Sequence, residues 1–75
     1  MKEWTVRGSH YVLELPEGRE LHIDPSSPPR VEGWVHRPGA TPLRVASCST
    51  VAETRAVLTD LASALLHNHR YVGKE

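Results

Sequence analysis

The stretch His10-Tyr11-Val12-Leu13-Glu14-Leu15-Pro16-Glu17-Gly18-Arg19-Glu20-Leu21-His22-Ile23-Asp24 decides the fold. Tyr11, Leu13 and Leu15 alternate with Val12 and Glu14, the period of two expected of a strand with one buried face. Pro16-Glu17-Gly18 breaks the run, since Pro presets φ and Gly accepts φ > 0. Leu21 and Ile23 then resume the alternation, with Glu20, His22 and Asp24 on the other face. The two apolar sets fall on the same side of an antiparallel hairpin, and that side needs a cover.

The C-terminal third supplies it. Thr50 and Glu53 have the spacing of a capping box, in which hydroxyl and carboxylate satisfy orphan backbone donors. Val51, Leu58, Leu61, Ala62 and Leu65 then fall on one helical stripe, with Glu53, Asp60, Ser63 and His67 opposite. His67, His69 and Arg70 fill the last turn, where the helix dipole favours positive charge. Gly73 follows Tyr71-Val72, and the end is expected to fray. These signals predict a helix over roughly 50–70.

Two further strands connect the hairpin to the helix. Val31, Gly33 and Val35 share one face over 31–36, which leaves Glu32, Trp34 and His36 on the other. Arg37 to Pro42 makes a turn, and Leu43, Val45 and Ser47 form one face of a strand over 43–47. Upstream, Trp4 and Val6 alternate with Glu3, Thr5 and Arg7. Gly8-Ser9 is either a bulge within one long first strand or a turn between two short ones. Asp24 to Pro29 reads as a crossing loop, because its three prolines remove donors and push their neighbours toward extended geometry. The expectation is one α+β domain over residues 1–75. It has a small antiparallel sheet of about four strands, at 3–15, 19–24, 31–36 and 43–47, packed on one face by the C-terminal amphipathic helix.

Composition narrows the function. A chain of 75 residues has room for one core and buries roughly 60% of its unfolded surface. It contains no Phe, two Trp and two Tyr, so Val, Leu and Ala carry the apolar content and self-association is a natural supplement. Nine basic residues balance nine acidic ones, without the basic excess of a protein that neutralises phosphates. Seven of the nine cations are Arg, which reads as the coding bias of a high-GC bacterium or its phage. Cys48 is the sole cysteine, so no intrachain disulfide forms. Met1-Lys2-Glu3-Trp4 lacks the apolar segment of a signal peptide, and no apolar run nears the ~20 residues of a membrane span. A cytoplasmic protein without a membrane partner is expected.

Candidate chemistry is sparse. His22 and Asp24 project from one strand face, and His36 can join them from a neighbour, whereas a catalytic zinc site needs about three converging ligands. Strand alternation alone produces that spacing, so a polar solvated face is expected and no metal. His67-Asn68-His69 has the letters of a nuclease motif, but residues i and i+2 on a helix point ~200° apart. Cys48 precedes the helix start, where a thiolate is favoured. No His is placed to serve it, and a small buried hydrophobe is expected instead. No serine sits in a nucleophile elbow and no glycine-rich phosphate loop is present. Neither catalytic residues nor a cofactor are expected, and the chain reads as no enzyme.

Trp34 is the residue to explain. With Val31 and Val35 toward the helix it faces away, beside His36 and near Arg37 and Arg44. This is an aromatic-plus-arginine patch of the kind enriched at binding hot spots. The competing reading packs Trp34 against Tyr11 or Trp4 across strands, or shifts the register by one. A sheet followed by a helix that opens Thr50-Val51-Ala52-Glu53-Thr54-Arg55-Ala56 resembles, in architecture, the arm-binding domains of phage integrases and their plant relatives. The matching stretch is Val31 to Leu65. The resemblance implies a sheet face that enters a DNA groove through Trp34, Arg37 and Arg44. The reading that follows is a small non-enzymatic protein-interaction module, an accessory or regulatory protein. It binds another protein or a second copy of itself through Trp34, His36, Arg37 and Arg44. The alternative is a small nucleic-acid-binding domain using the same face, which zero net charge disfavours.

Overall fold

The computed structural model describes the backbone of residues 3–72 and the side chains of residues 3–65. Five strands and a helix follow in order: β1 (Thr5–Arg7), β2 (His10–Glu14), β3 (Glu20–Ser27), β4 (Arg30–His36), β5 (Leu43–Cys48) and α1 (Val51–Val72). The strands form one antiparallel meander in sequence order, and α1 packs across β3, β4 and β5. This is the α+β architecture expected, with one strand more. Gly8 takes φ 64 at the first position of a two-residue turn, as type II′ hairpins require, so Gly8-Ser9 is a turn and not a bulge.

The hairpin register agrees with the alternation. Tyr11 faces Ile23 and Leu13 faces Leu21, all on the helix side. Leu13, Leu21, Ile23, Val31 and Val35 form the core with Leu58 and Ala62 of α1, and Trp4, Tyr11, Leu15, Val51 and Leu61 pack around it. Gly33 lies beneath the helix, where a Cβ would come 3.1 Å from both Leu58 methyls and 3.2 Å from the Ala46 Cβ. The missing side chain at this position lets Leu58 settle onto the sheet.

Two expectations fail. The segment 24–29 is not a crossing loop: β3 runs on to Ser27 through a register shift, and only Pro28-Pro29, joined by a cis peptide, turn the chain into β4. Asp24 explains the extension, since its Oδ1 accepts from the Ser26 N–H at 2.9 Å and the Ser26 hydroxyl at 2.5 Å, organising the backbone around Pro25. The longest interstrand connection is therefore 37–42, after β4. In β5 the stripe Leu43, Val45, Ser47 is broken by a bulge. Gly33 pairs with Ala46 while Trp34 pairs with Arg44, so Val45 has no partner across the ladder and Ser47 faces Glu32 on the open side.

Around Thr50 the hydroxyl half of the capping box is built as its spacing predicts, while the Glu53 carboxylate reaches the N–H one residue before the cap. The Glu53 N–H donates to Thr50 Oγ1 at 3.1 Å, and the Glu53 carboxylate accepts from the Ser49 N–H at 3.2 Å. Thr54, absent from the expected stripe, is fully buried. Its Oγ1 lies 3.2 Å from Val31 O and 3.0 Å from Thr50 O, so one hydroxyl proton serves both helix and sheet. The expectations for Met1-Lys2, for the His67, His69 and Arg70 side chains and for Gly73 lie outside the described residues.

Candidate functional site

The helix packs on one side of the sheet, and among the described residues no other element lies over the opposite face. In register, Thr5, Val12, His22, Trp34 and Arg44 form its middle row. Trp34 is thus on the open face and away from Tyr11 and Trp4, which pack on the helix side. The row of Glu14, Glu20 and His36 flanks it on one side, and Glu32 and Ser47 pair in the row on the other.

This face is not bare. Arg7 lies 3.6 Å from Glu14 and 3.2 Å from Glu20. Arg7 stands opposite His10, so these contacts carry its side chain across the middle row to the row of Glu14 and Glu20. Val12 is fully buried although it faces away from α1. Beside it His22 is also buried, at the centre of a diagonal of imidazoles. Its ring stacks on His36 with centroids 3.8 Å apart and meets His10 edge-on at 5.4 Å. Its Nε2 lies 2.9 Å from Glu20 Oε1, and its Nδ1 lies 3.2 Å from His10 Nδ1. Outermost in this line, His10 Nε2 is 3.6 Å from Asp24 Oδ2.

Above this floor opens a hollow of about 230 Å³, lined by His10, Asp24, Trp34, His36 and Pro42. Its electrostatics are set by its walls. Burial pushes His36 below the ordinary imidazole value of 6.5, and the neighbouring His22 adds to the effect, so His36 is neutral at pH 7. Hydrogen bonds from the Ser26 hydroxyl and N–H hold Asp24 below the ordinary carboxylate value, so it is ionised there. Glu20 is lowered first by its hydrogen bond from His22 and further by Arg7, against the opposing effect of burial. The hollow therefore offers an indole, the imidazoles of His10 and His36, a proline ring and one carboxylate.

No protein-family model, curated protein or solved structure matches the chain.

Of the four residues expected at the site, the fold brings Trp34 and His36 together in the hollow. Arg44 stands opposite Trp34 in register, with its guanidinium 3.0 Å from Glu32. Arg37 is exposed in the turn after β4 and lines no part of the hollow. His10, Asp24 and Pro42 line the hollow as well and stand outside the expected binding set. The parity of β2 puts His10 on the face of Val12 and Glu14, so its side was readable in the sequence; its contact with His22 depends on pairing. Among the described residues no three His, Cys, Asp or Glu side chains converge to hold a metal. Cys48 is a half-buried free thiol opposite Val31 at the end of β5. No helix among the described residues is long and apolar enough to cross a membrane.

Proposed function

We propose that the chain is a non-enzymatic protein-interaction module that engages its partner, another protein or a second copy of itself, through the open sheet face. The observation that carries this reading is the hollow beside Trp34. Aromatic residues framed by polar groups are the usual anchors of protein interfaces, and Trp34 stands on the sheet face opposite α1. The nucleic-acid alternative draws less support from the same face. Its arginines are already engaged, Arg7 by Glu14 and Glu20, Arg44 by Glu32 and Arg30 by the Ser47 hydroxyl, and Asp24 adds a fourth carboxylate against these three cations. A phosphate backbone would meet more negative than positive charge there.

The two readings separate in one experiment. The tagged chain is incubated with a nuclease-treated lysate of its source organism, and in parallel with labelled DNA and RNA at low and moderate salt. The module reading expects a specific protein, or the untagged chain itself, retained after nuclease treatment. Nucleic-acid binding that weakens steeply with salt, with no protein retained, would contradict it.

A further inference from the structure

The walls of the hollow are ring systems and one carboxylate: the indole of Trp34, the pyrrolidine of Pro42, the imidazoles of His10 and His36, and Asp24. No Lys or Arg side chain lines it among the described residues. Asp24 is anchored through one oxygen. Its Oδ1 accepts from both the N–H and the hydroxyl of Ser26, and Oδ2 takes neither bond. His10 Nε2 stands 3.6 Å from Oδ2, too long for a hydrogen bond, so this oxygen keeps its acceptor capacity. The wider face has the same sign, since the carboxylates of Glu14, Glu20, Asp24 and Glu32 outnumber the guanidiniums of Arg7, Arg30 and Arg44.

We infer that the hollow is a seat for the guanidinium group of an arginine side chain carried by the partner. The partner itself rests on the interaction proposed above, whereas the arginine follows from the hollow. A guanidinium is planar and weakly hydrated, so it lies on a ring face and still points its in-plane N–H groups at a carboxylate. Trp34 and Asp24 supply these two elements in one hollow. A lysine ammonium, compact and strongly hydrated, gives up more water on entering and matches a ring face less well. An anion would meet Asp24 with no Lys or Arg in the wall to offset it. A purely apolar group would strip water from the carboxylate and replace none of its hydrogen bonds. His36, neutral at pH 7, adds no opposing charge. The volume of about 230 Å³ falls below the roughly 300–1,000 Å³ of pockets that hold drug-sized ligands, and suits one side chain.

Titration of the purified full-length chain with N-acetyl-arginine amide, followed through the indole N–H resonances by NMR, tests it. The lysine and citrulline analogues serve as comparisons at matched ionic strength. Trp4, which packs on the helix side, is the internal control. The Trp34 resonance should move saturably with a Kd of about 1–10 mM for so small a probe, and Trp4 should not move. The citrulline analogue keeps the shape without the charge, and it and the lysine analogue should each bind about fivefold more weakly. Asp24→Asn keeps an acceptor for Ser26 and removes the charge, so it should weaken arginine binding by about the same factor. If that variant does not fold, the citrulline comparison on the wild type decides. No Trp34 response at about 50 mM probe, equal affinity for either comparison analogue, or unchanged affinity in folded Asp24→Asn would each overturn the assignment. A partner protein retained alongside any of these results would leave the interaction module standing and remove the arginine alone. Arginine binding with no protein retained would do the reverse.

Discussion

His36 makes the stability of the fold depend on pH near neutrality. Burial and the adjacent His22 hold its folded-state pKa below 6.5, so the unfolded chain takes up this proton first. Its contribution to stability is complete above 6.5 and declines as pH falls from there to the folded value. Glu20 and Asp24 act with the same sign at lower pH. Both are lowered in the fold, so their contributions are present above the ordinary values of 4.5 and 3.8 and are lost as pH falls through the folded ones. The urea midpoint should fall between about pH 7 and pH 5.5, and His36→Gln should flatten that first decline. A midpoint that rises on acidification would contradict this account. Thr54 is the other residue whose chemistry decides something. Thr54→Val keeps the shape but removes the hydroxyl that reaches Val31 O, and should cost about 1–2 kcal/mol in urea unfolding.

Among the elements, α1 and its seat on β4 are the most exposed to substitution. Thr50→Ala removes the acceptor for the Glu53 N–H and should cost about 1 kcal/mol, read from the denaturation midpoint. Gly33→Val places methyls where Leu58 already lies and should destabilise by about 1–3 kcal/mol, with α1 displaced. The helix and the β2–β3 hairpin were legible because each repeats its own period over many residues. Where legibility failed, a local contact outweighed the pattern. The side chain of Asp24 organised Pro25-Ser26 into the end of β3, overriding the proline signal. The bulge in β5 moved Val45 out of register, and a six-residue strand is too short to reveal the slip. Thr54 was passed over because a helical stripe is read from apolar residues, while a hydroxyl satisfied by two carbonyls is equally at home in a core.

At the scale of the whole molecule, a meander with one helix leaves the sheet two-sided in character. The helix side closes an apolar core, and the other side closes over Val12 and His22 with charged and imidazole groups. Sequence parity placed Trp34 and His36 on this second side. It did not show that His10, His22 and His36 lie in one diagonal, since that line crosses three strands and exists only once their registers are fixed. The edges add little to this surface, for β1 has only three residues and β5 is bulged. The central claim is that the open face, with Trp34 as its anchor, is the binding surface. Its most direct test compares the wild type, Trp34→Ala and the helix-side variant Val57→Ser for retention of the same partner protein, with folding checked by circular dichroism. The account predicts at least tenfold weaker retention by Trp34→Ala and none of that loss for Val57→Ser. Equal retention by Trp34→Ala and the wild type would contradict it.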